Sequence, residues 1–228
     1  AQDQTTDKKI TEKKINALPA KEILKKNKKT DGKDETGHEL EEDVNQVINK
    51  YKKATTSDEK IDLLESLSLI DNKKIIDLVY NALDDSDENV RLAAAQLLED
   101  FDSEAALPAI SKALSDENEE VRLLAINSLD DIDSPEATAL LAKGASDTSE
   151  DVRDAVFFVL ADRDSGTKEA LLQVVMNSNY QDVKERVSDL ALDTPSHNTI
   201  DIIIEGLKDK NEDFREEIKS ILSFFVSE

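Results

Sequence analysis

Acidic residues are the most frequent groups in this sequence that could do chemistry, and several of them are clustered. Two clusters are Asp84-Asp85-Ser86-Asp87-Glu88 and Asp130-Asp131-Ile132-Asp133. Clustered carboxylates bind calcium when oxygen ligands alternate along a loop that contains a glycine and ends in a distal Glu. Neither cluster contains a glycine. We therefore interpret the clusters as caps of helix N-termini, where negative charge is favourable, with weak divalent-cation binding as the alternative.

Few residue types suited to catalysis are present. The chain contains no cysteine, which excludes disulfides and thiolate metal sites, and only two histidines, His38 and His197. No nucleophile–base pair and no phosphate-binding loop stands out. We predict no catalytic residue, no metal site and no cofactor.

Charge is distributed unevenly along the chain. The formal net charge of −23 lies entirely in residues 51–228, which hold 18 basic and 41 acidic residues. Residues 1–30, in contrast, hold nine lysines and four acidic residues. An acidic body repels phosphate backbones. We therefore expect a partner protein or peptide with basic and apolar character, and no nucleic acid.

Residues 1–38 are predicted to form a disordered, Lys-rich tail, because they hold too little apolar area to offset the entropy of ordering. Apolar residues interleave with its lysines between Ile10 and Leu24, so this stretch is either a solvated linker or a short helix that docks on the acidic body, on a partner or on an anionic membrane. No apolar run reaches membrane-spanning length. The start at Ala1 fits removal of a secretory signal, with a periplasmic or secreted location, and the alternative location is the cytoplasm.

Residues 39–228 repeat themselves with a period of 31 residues. A hydrophobic residue followed by a basic one recurs at this step, as Val90-Arg91, Val121-Arg122, Val152-Arg153, Val183-Lys184 and Phe214-Arg215. Each repeat holds two stretches with helical spacing of apolar residues, and a short polar turn joins them. Neither helix can bury its apolar stripe alone, so neighbouring pairs must stack. The predicted pairs are 40–53 with 57–69, 72–83 with 87–100, 103–114 with 118–131, 135–145 with 149–161, 166–176 with 180–191, and 198–207 with 211–226.

The turn between the two helices resembles that of the HEAT-repeat family. The residues that carry the resemblance are Pro108 near the start of a first helix and the motif Asp116-x5-Arg122 with Val121 before the arginine. The motif recurs at Asp85, Asp147 and Asp209, is degraded at Ser178…Lys184, and keeps only the basic residue at Lys60. The resemblance covers residues 39–228. It implies an all-α fold, a right-handed α-solenoid (superhelix) of about six helix pairs whose second helices line the concave face, but it says little about function.

The recurring acidic and basic residues of these turns are predicted to form a structural ladder. A guanidinium group can bond a carboxylate or a turn carbonyl of the neighbouring repeat. A direct role of these arginines in binding is the alternative. The ladder residues are Asp85, Arg91, Asp116, Arg122, Asp147, Arg153, Asp209 and Arg215.

Departures from the repeat mark the candidate partner-binding surface. Phe158 is apolar where its counterparts are polar, and with its neighbours it predicts an apolar patch with an acidic rim on the concave face. The alternative is that Phe157 and Phe158 fill core volume. The apolar members are Leu92, Leu123, Ile126, Phe157 and Phe158, and the rim is formed by Glu119, Glu150, Asp154 and Glu185.

A second departure is Phe224, which stands where other repeats carry aspartate. Terminal repeats normally present a polar outer face. We expect Phe224 either to fold under the last helix pair or to contact a second copy or a partner.

Taken together, the short turns and the acidic surface favour a non-catalytic scaffold or adaptor that binds a protein, and we expect a monomer. Two alternatives stay open. One is an accessory, lyase-like or chaperone-like subunit that holds a protein substrate for an enzyme. The other is an autoinhibited binder whose own basic tail occupies the acidic groove.

Overall fold

The computed structural model describes residues 36–68, 70 and 72–227, and all the regular structure in this part of the chain is helical. The all-α prediction is confirmed. The predicted tail, apart from its last three residues, lies outside the described residues. The helices alternate as first and second members of successive pairs, and the second member of the fifth pair is split in two. They are α1 (Thr36–Tyr51), α2 (Ser57–Glu65), α3 (Lys73–Ala82), α4 (Glu88–Gln96), α5 (Leu107–Ala113), α6 (Glu119–Asn127), α7 (Pro135–Gly144), α8 (Glu150–Leu160), α9 (Ser165–Met176), α10 (Gln181–Lys184), α11 (Val187–Asp193), α12 (His197–Glu205) and α13 (Glu212–Ser227).

The chain forms two compact units, one up to Asp100 and the other from Phe101 onward. Within the first unit, α1 packs on α3 and α2 packs on α4. Within the second unit, α6 packs on α8 and α11 on α13, while the first helices α7, α9 and α12 pack in succession. Inside each unit, first helices therefore pack on first helices and second helices on second helices, as expected when amphipathic pairs stack.

Polar side chains begin most of the helices. Each of these caps accepts a hydrogen bond from a backbone N–H in the first turn of its helix, a group that has no partner within the helix. Asp87, from the first acidic cluster, is one of them, which confirms the capping interpretation at that position. The caps are Thr56, Asn72, Asp87, Asn118, Ser134, Ser149, Asp164 and Ser196.

The core is made of the apolar columns that recur every 31 residues. The hydrophobic residue before the basic one is at most 1% exposed in five of the six repeats, at Val90, Val121, Val152, Val183 and Phe214. Burial of such side chains stabilises the fold by roughly 1.5–3 kcal/mol each. The same columns are buried in successive pairs. Residues 31 positions apart in the sequence therefore occupy equivalent positions in the core.

The second helix of the fifth pair differs from the prediction of one helix over 180–191. It is broken between α10 and α11, at Glu185 and Arg186. The N–H of Arg186 donates to the carbonyl of Val183, three residues back, at 3.1 Å. This tighter bond interrupts the helical pattern, which resumes when the N–H of Leu190 donates to the carbonyl of Arg186 at 3.2 Å.

Gly144, the last residue of α7, allows a close approach of three helices. A Cβ atom at this position would lie 2.8 Å from Cγ2 of Val156 on α8 and closer still to Cδ1 of Ile126 on α6. Both neighbours are fully buried. A glycine is therefore required here by space.

We expect Gly144→Val to lower the free energy of unfolding by about 2 kcal/mol, because overpacking forces buried side chains off their rotamers. Thermal unfolding followed by circular dichroism measures the effect. The control is Gln173→Val, at an exposed position of α9, which should cost about 0.5 kcal/mol or less. Equal losses in the two variants would contradict the packing argument.

Candidate functional site

The arginine of each Asp-x5-Arg motif first closes its own turn. Its Nη1 donates to the backbone carbonyl of the aspartate six residues earlier, at 2.8–3.0 Å in all four motifs. The carboxylate of that aspartate accepts from the backbone N–H two residues further on, at 2.8–3.1 Å. The spacing thus suits a turn in which both charged groups bond backbone atoms. The four pairs are Asp85 with Arg91, Asp116 with Arg122, Asp147 with Arg153, and Asp209 with Arg215.

Basic residues of the same column also reach the next repeat. Arg122 binds the carboxylate of Asp147 with two parallel bonds, from Nε at 2.8 Å and from Nη2 at 2.9 Å. In the first unit Lys60 pairs with Asp85, and in the second Lys184 pairs with Asp209. Each of these pairs spans 25 residues along the chain. The structure therefore places these residues in bonds between successive repeats.

The ladder continues through the repeat in which its motif is degraded. Ser178 lacks a carboxylate, but its hydroxyl still accepts from the N–H of Tyr180 at 3.1 Å. Arg153 is bonded instead by Asp182, whose Oδ2 lies 2.7 Å from Nε. The guanidinium carbon of Arg153 lies 3.9 Å from the centre of the Tyr180 ring. Asp182 and Tyr180 were missed by the sequence analysis, because both lie outside the repeating columns.

A groove of about 530 Å³ lies on the second helices of the 101–228 unit. Phe158 of α8 lines this groove with 79% of its surface exposed. The core-filling alternative for Phe158 is thereby excluded. Phe157 and Leu123 are half-buried. The lining residues are Leu123, Asn127, Asp151, Asp154, Ala155, Phe157, Phe158 and Arg186.

One predicted member of the apolar patch is corrected by the structure. Ile126 is fully buried, and its side chain packs next to Gly144. It lies on the face of α6 that points into the core, because α7 approaches there. Ile126 is therefore a core residue and no part of an exposed patch.

The remaining predicted members are dispersed. Leu92 is half-buried in α4 and belongs to the unit that ends at Asp100. Glu119, Glu150 and Glu185 are exposed but do not line the groove, whereas Asp154 does.

Arg186 is the basic residue of the groove lining, and the sequence analysis missed it together with Asn127, Asp151 and Ala155. It lies in the break between α10 and α11, and its Nη2 donates to Oδ1 of Asp154 at 3.0 Å. Its guanidinium carbon lies 5.5 Å from the centre of the Phe157 ring. The repeat offered a signal, because Arg186 is the only basic residue of its column, in which the other repeats carry Asp62, Ala93, Leu124, Ala155 and Glu217.

Comparison with known proteins supports the fold assignment. The sequence profile described as HEAT repeats matches residues 48–113 and 76–161, which together make up half of the chain. The chain belongs to the HEAT-repeat family. Proteins of this family generally act as non-catalytic scaffolds that bind other proteins. No curated protein sequence matches this chain.

Two solved structures are similar to this HEAT-repeat chain. One is the crystal structure of an engineered protein, with 17% sequence identity over 81% of this chain and 97% of that chain, and a TM-score of 0.51. The other is the X-ray structure of YibA from Escherichia coli, with 20% identity over 86% of this chain and 77% of that chain, and a TM-score of 0.44. The first likeness shows the fold alone.

Several aspartates that bond the basic residues of the HEAT ladder have lowered pKa values, as at Asp147, Asp182 and Asp209. Burial alone would raise the pKa of Asp147, but hydrogen bonds from Arg122 and from the N–H of Ser149 outweigh it and hold the pKa below its usual range. The hydrogen bond from Arg153 does the same for Asp182, and that from Lys184 for Asp209. These carboxylates are therefore ionised in the folded HEAT array.

The second helices of the last two HEAT repeats carry closely spaced acids. Burial first, and then the charges of Glu185 and Asp189, raise the pKa of Glu217. Burial is the main cause of this shift, and the two neighbouring carboxylates add to it by like-charge repulsion. A bound cation would relieve this repulsion.

Phe224 lies on α13 of the terminal HEAT repeat with 49% of its surface exposed. Its ring meets that of Phe225 edge to face, with ring centres 6.1 Å apart. The predicted contact with a second copy or partner stays a prediction.

Two kinds of feature are absent from the described residues. No helix there is long and apolar enough to cross a membrane. No group of three or more His, Cys, Asp or Glu in the same residues could hold a metal ion.

We expect Arg122→Glu to lower the free energy of unfolding by about 2–4 kcal/mol. The Arg122 and Asp147 side chains are only 13% and 11% exposed, and loss of one member leaves a poorly solvated charge. Lys219→Glu makes the same change in net charge at an exposed pair with Glu216, and it should cost less than about 1 kcal/mol. Thermal unfolding measures both, and similar losses would argue against a structural ladder.

The pH dependence of Asp147→Asn gives a second test. Because the folded-state pKa of Asp147 is lowered, its contribution is present above the unfolded value of about 3.9 and is lost as pH falls through the folded value. The melting-temperature difference between wild type and Asp147→Asn should therefore be largest at neutral pH and shrink below about pH 4. The control Asp201→Asn, at an exposed position of α12, should show a small difference throughout.

Proposed function

We propose that this HEAT-repeat protein is a non-catalytic scaffold and that the groove around Phe158 binds a protein segment with basic and apolar side chains. The observation that carries the proposal is the 79% exposure of Phe158 on the second-helix face. A phenylalanine this exposed contributes nothing to the core, and large exposed apolar groups with a polar rim are typical of interfaces. Aromatic anchors also supply much of the binding energy in protein contacts.

The charge around the groove supports a basic partner. Asp151 and Asp154 line the groove, and Glu185 is exposed beside it in the helix break. The net charge of −23 in residues 51–228 adds a long-range field. Such a field attracts basic proteins and speeds their encounter, whereas it repels nucleic acid.

The architecture supports binding over catalysis. The helices of each pair are joined by short turns, such as 83–87 and 114–118, and the charged groups in these turns bond backbone atoms or the next repeat. These groups stabilise the turns and the contacts between repeats, which favours a structural role over a catalytic one. The outward second-helix positions are the ones that can vary without loss of the fold.

The test is affinity capture from the native source with wild-type protein and the Phe158→Asp variant as bait. We expect a stoichiometric partner with wild type and at least a tenfold loss with Phe158→Asp, since loss of a central aromatic anchor costs about 2 kcal/mol or more. Leu192→Asp is the matched control, because Leu192 is exposed in the same unit and lies outside the groove. It should retain the partner.

A stability measurement accompanies the capture experiment. Phe158→Ala should change the free energy of unfolding by less than about 1 kcal/mol, since large losses come only from buried aromatic residues. Retention of every partner by Phe158→Asp would contradict the proposed function.

A further inference from the structure

The groove contains a place where an arginine side chain is already bound. The guanidinium group of Arg186 lies against the Phe157 ring, 5.5 Å from its centre, and donates to the carboxylate of Asp154 at 3.0 Å. A planar guanidinium can contact a ring and bond a carboxylate in its own plane at the same time. The ring and the carboxylate together form a guanidinium subsite, which we define as Phe157 and Asp154.

We propose that this subsite receives an arginine of the partner and that Arg186 holds its place in the free protein. The inference rests on the proposed function and specifies its ligand: a segment in which an arginine lies beside an apolar side chain. The arginine would replace Arg186 on Phe157 and Asp154. The adjacent apolar side chain would contact Phe158 and Leu123, which line the same groove.

Arg186 is suited to being displaced. Its side chain is 42% exposed and that of Asp154 is 50% exposed. Such pairs are screened by water and hold weakly. The ladder pair of Arg122 and Asp147, at 13% and 11% exposure, is in contrast shielded and doubly bonded. The arginine–aspartate pair in the turns is thus shielded from water, whereas the pair in the groove is exposed to water.

The position of Arg186 also favours exchange over a structural role. It lies in the helix break, where the three preceding repeats carry Ala93, Leu124 and Ala155 in continuous helices. Ala155, one repeat earlier, lines the same groove without any charge. Arg186 therefore adds to the repeat a cation that the stacking of helices does not require.

Arginine should be preferred to lysine. The ammonium group of lysine is a compact point charge that is more strongly hydrated and lacks the flat face that stacks on a ring. Both side chains carry a single positive charge, so attraction to the acidic residues of this unit does not distinguish between them. Discrimination therefore comes from the ring and the carboxylate together.

The experiment titrates the full chain with N-acetyl-arginine amide and follows the Phe157 ring resonances by NMR. Arg186→Met keeps the apolar stem of the side chain and removes the competing cation. We expect Arg186→Met to bind the arginine amide roughly fivefold more tightly than wild type, because an exposed ion pair and ring contact no longer compete. N-acetyl-lysine amide should bind Arg186→Met more weakly than the arginine amide.

The added substitution Asp154→Asn should cancel the gain, while Asp201→Asn, away from the groove, should leave it intact. The proposal is overturned if Arg186→Met binds the arginine amide no better than wild type, if the lysine and arginine amides bind equally, or if neither protein gives a shift. The small-molecule titration is independent of the capture experiment. Loss of capture with Phe158→Asp together with no arginine binding would reject the subsite alone, and retained capture would reject the proposed function instead.

Discussion

A guanidinium group carries five N–H donors in a rigid fork, so that one arginine can bond two separate structural elements. Arg122 does this: it donates to the carbonyl of Asp116 in its own turn and to the carboxylate of Asp147 in the next repeat. Helix pairs are amphipathic and could slide along one another, because apolar contact is not directional. The paired hydrogen bonds are directional, and they fix the position of each turn relative to the turn of the next repeat. The apolar columns can then meet at the same depth in every repeat.

The need for an anion near each ladder arginine explains how the array tolerates loss of a turn aspartate. In the fifth repeat the turn aspartate is replaced by Ser178, which caps the turn but offers no carboxylate to Arg153. Asp182, four residues further on, takes over the bond, and Tyr180 lies against the guanidinium. The geometry requires an anion within reach of the arginine, and any residue that the local backbone brings there can provide it. Next to this substitute contact the second helix breaks.

The same bonds explain why the turns stabilise the stack while the second helices provide the exposed surface. The carboxylates that pair with the ladder cations are partly buried, and the pKa values of Asp147 and Asp182 are lowered. On the groove face, Phe158 and Asp151 are exposed, and the exposed Asp154 bonds Arg186 and takes no part in the turns. A HEAT array can therefore change its binding surface repeat by repeat without altering its stacking. The Arg186 pair, half-exposed in the groove, belongs to this variable surface.

The sequence by itself determined the repeat, the helix pairs, the buried columns and the Asp-x5-Arg turns, because these depend on spacing within one repeat and recur in every copy. It also determined the sign of the surface charge. The tertiary structure alone decided that Ile126 points into the core and Phe158 points outward, since both lie near the edge of an apolar stripe and packing of the neighbouring helix settles which side is covered. It alone brought Arg186 to Phe157 and Asp154, and Asp182 to Arg153. These contacts join residues of successive repeats at spacings that do not recur along the chain, so no periodic sequence pattern predicts them. Only the positions of the neighbouring helices bring the side chains within bonding distance.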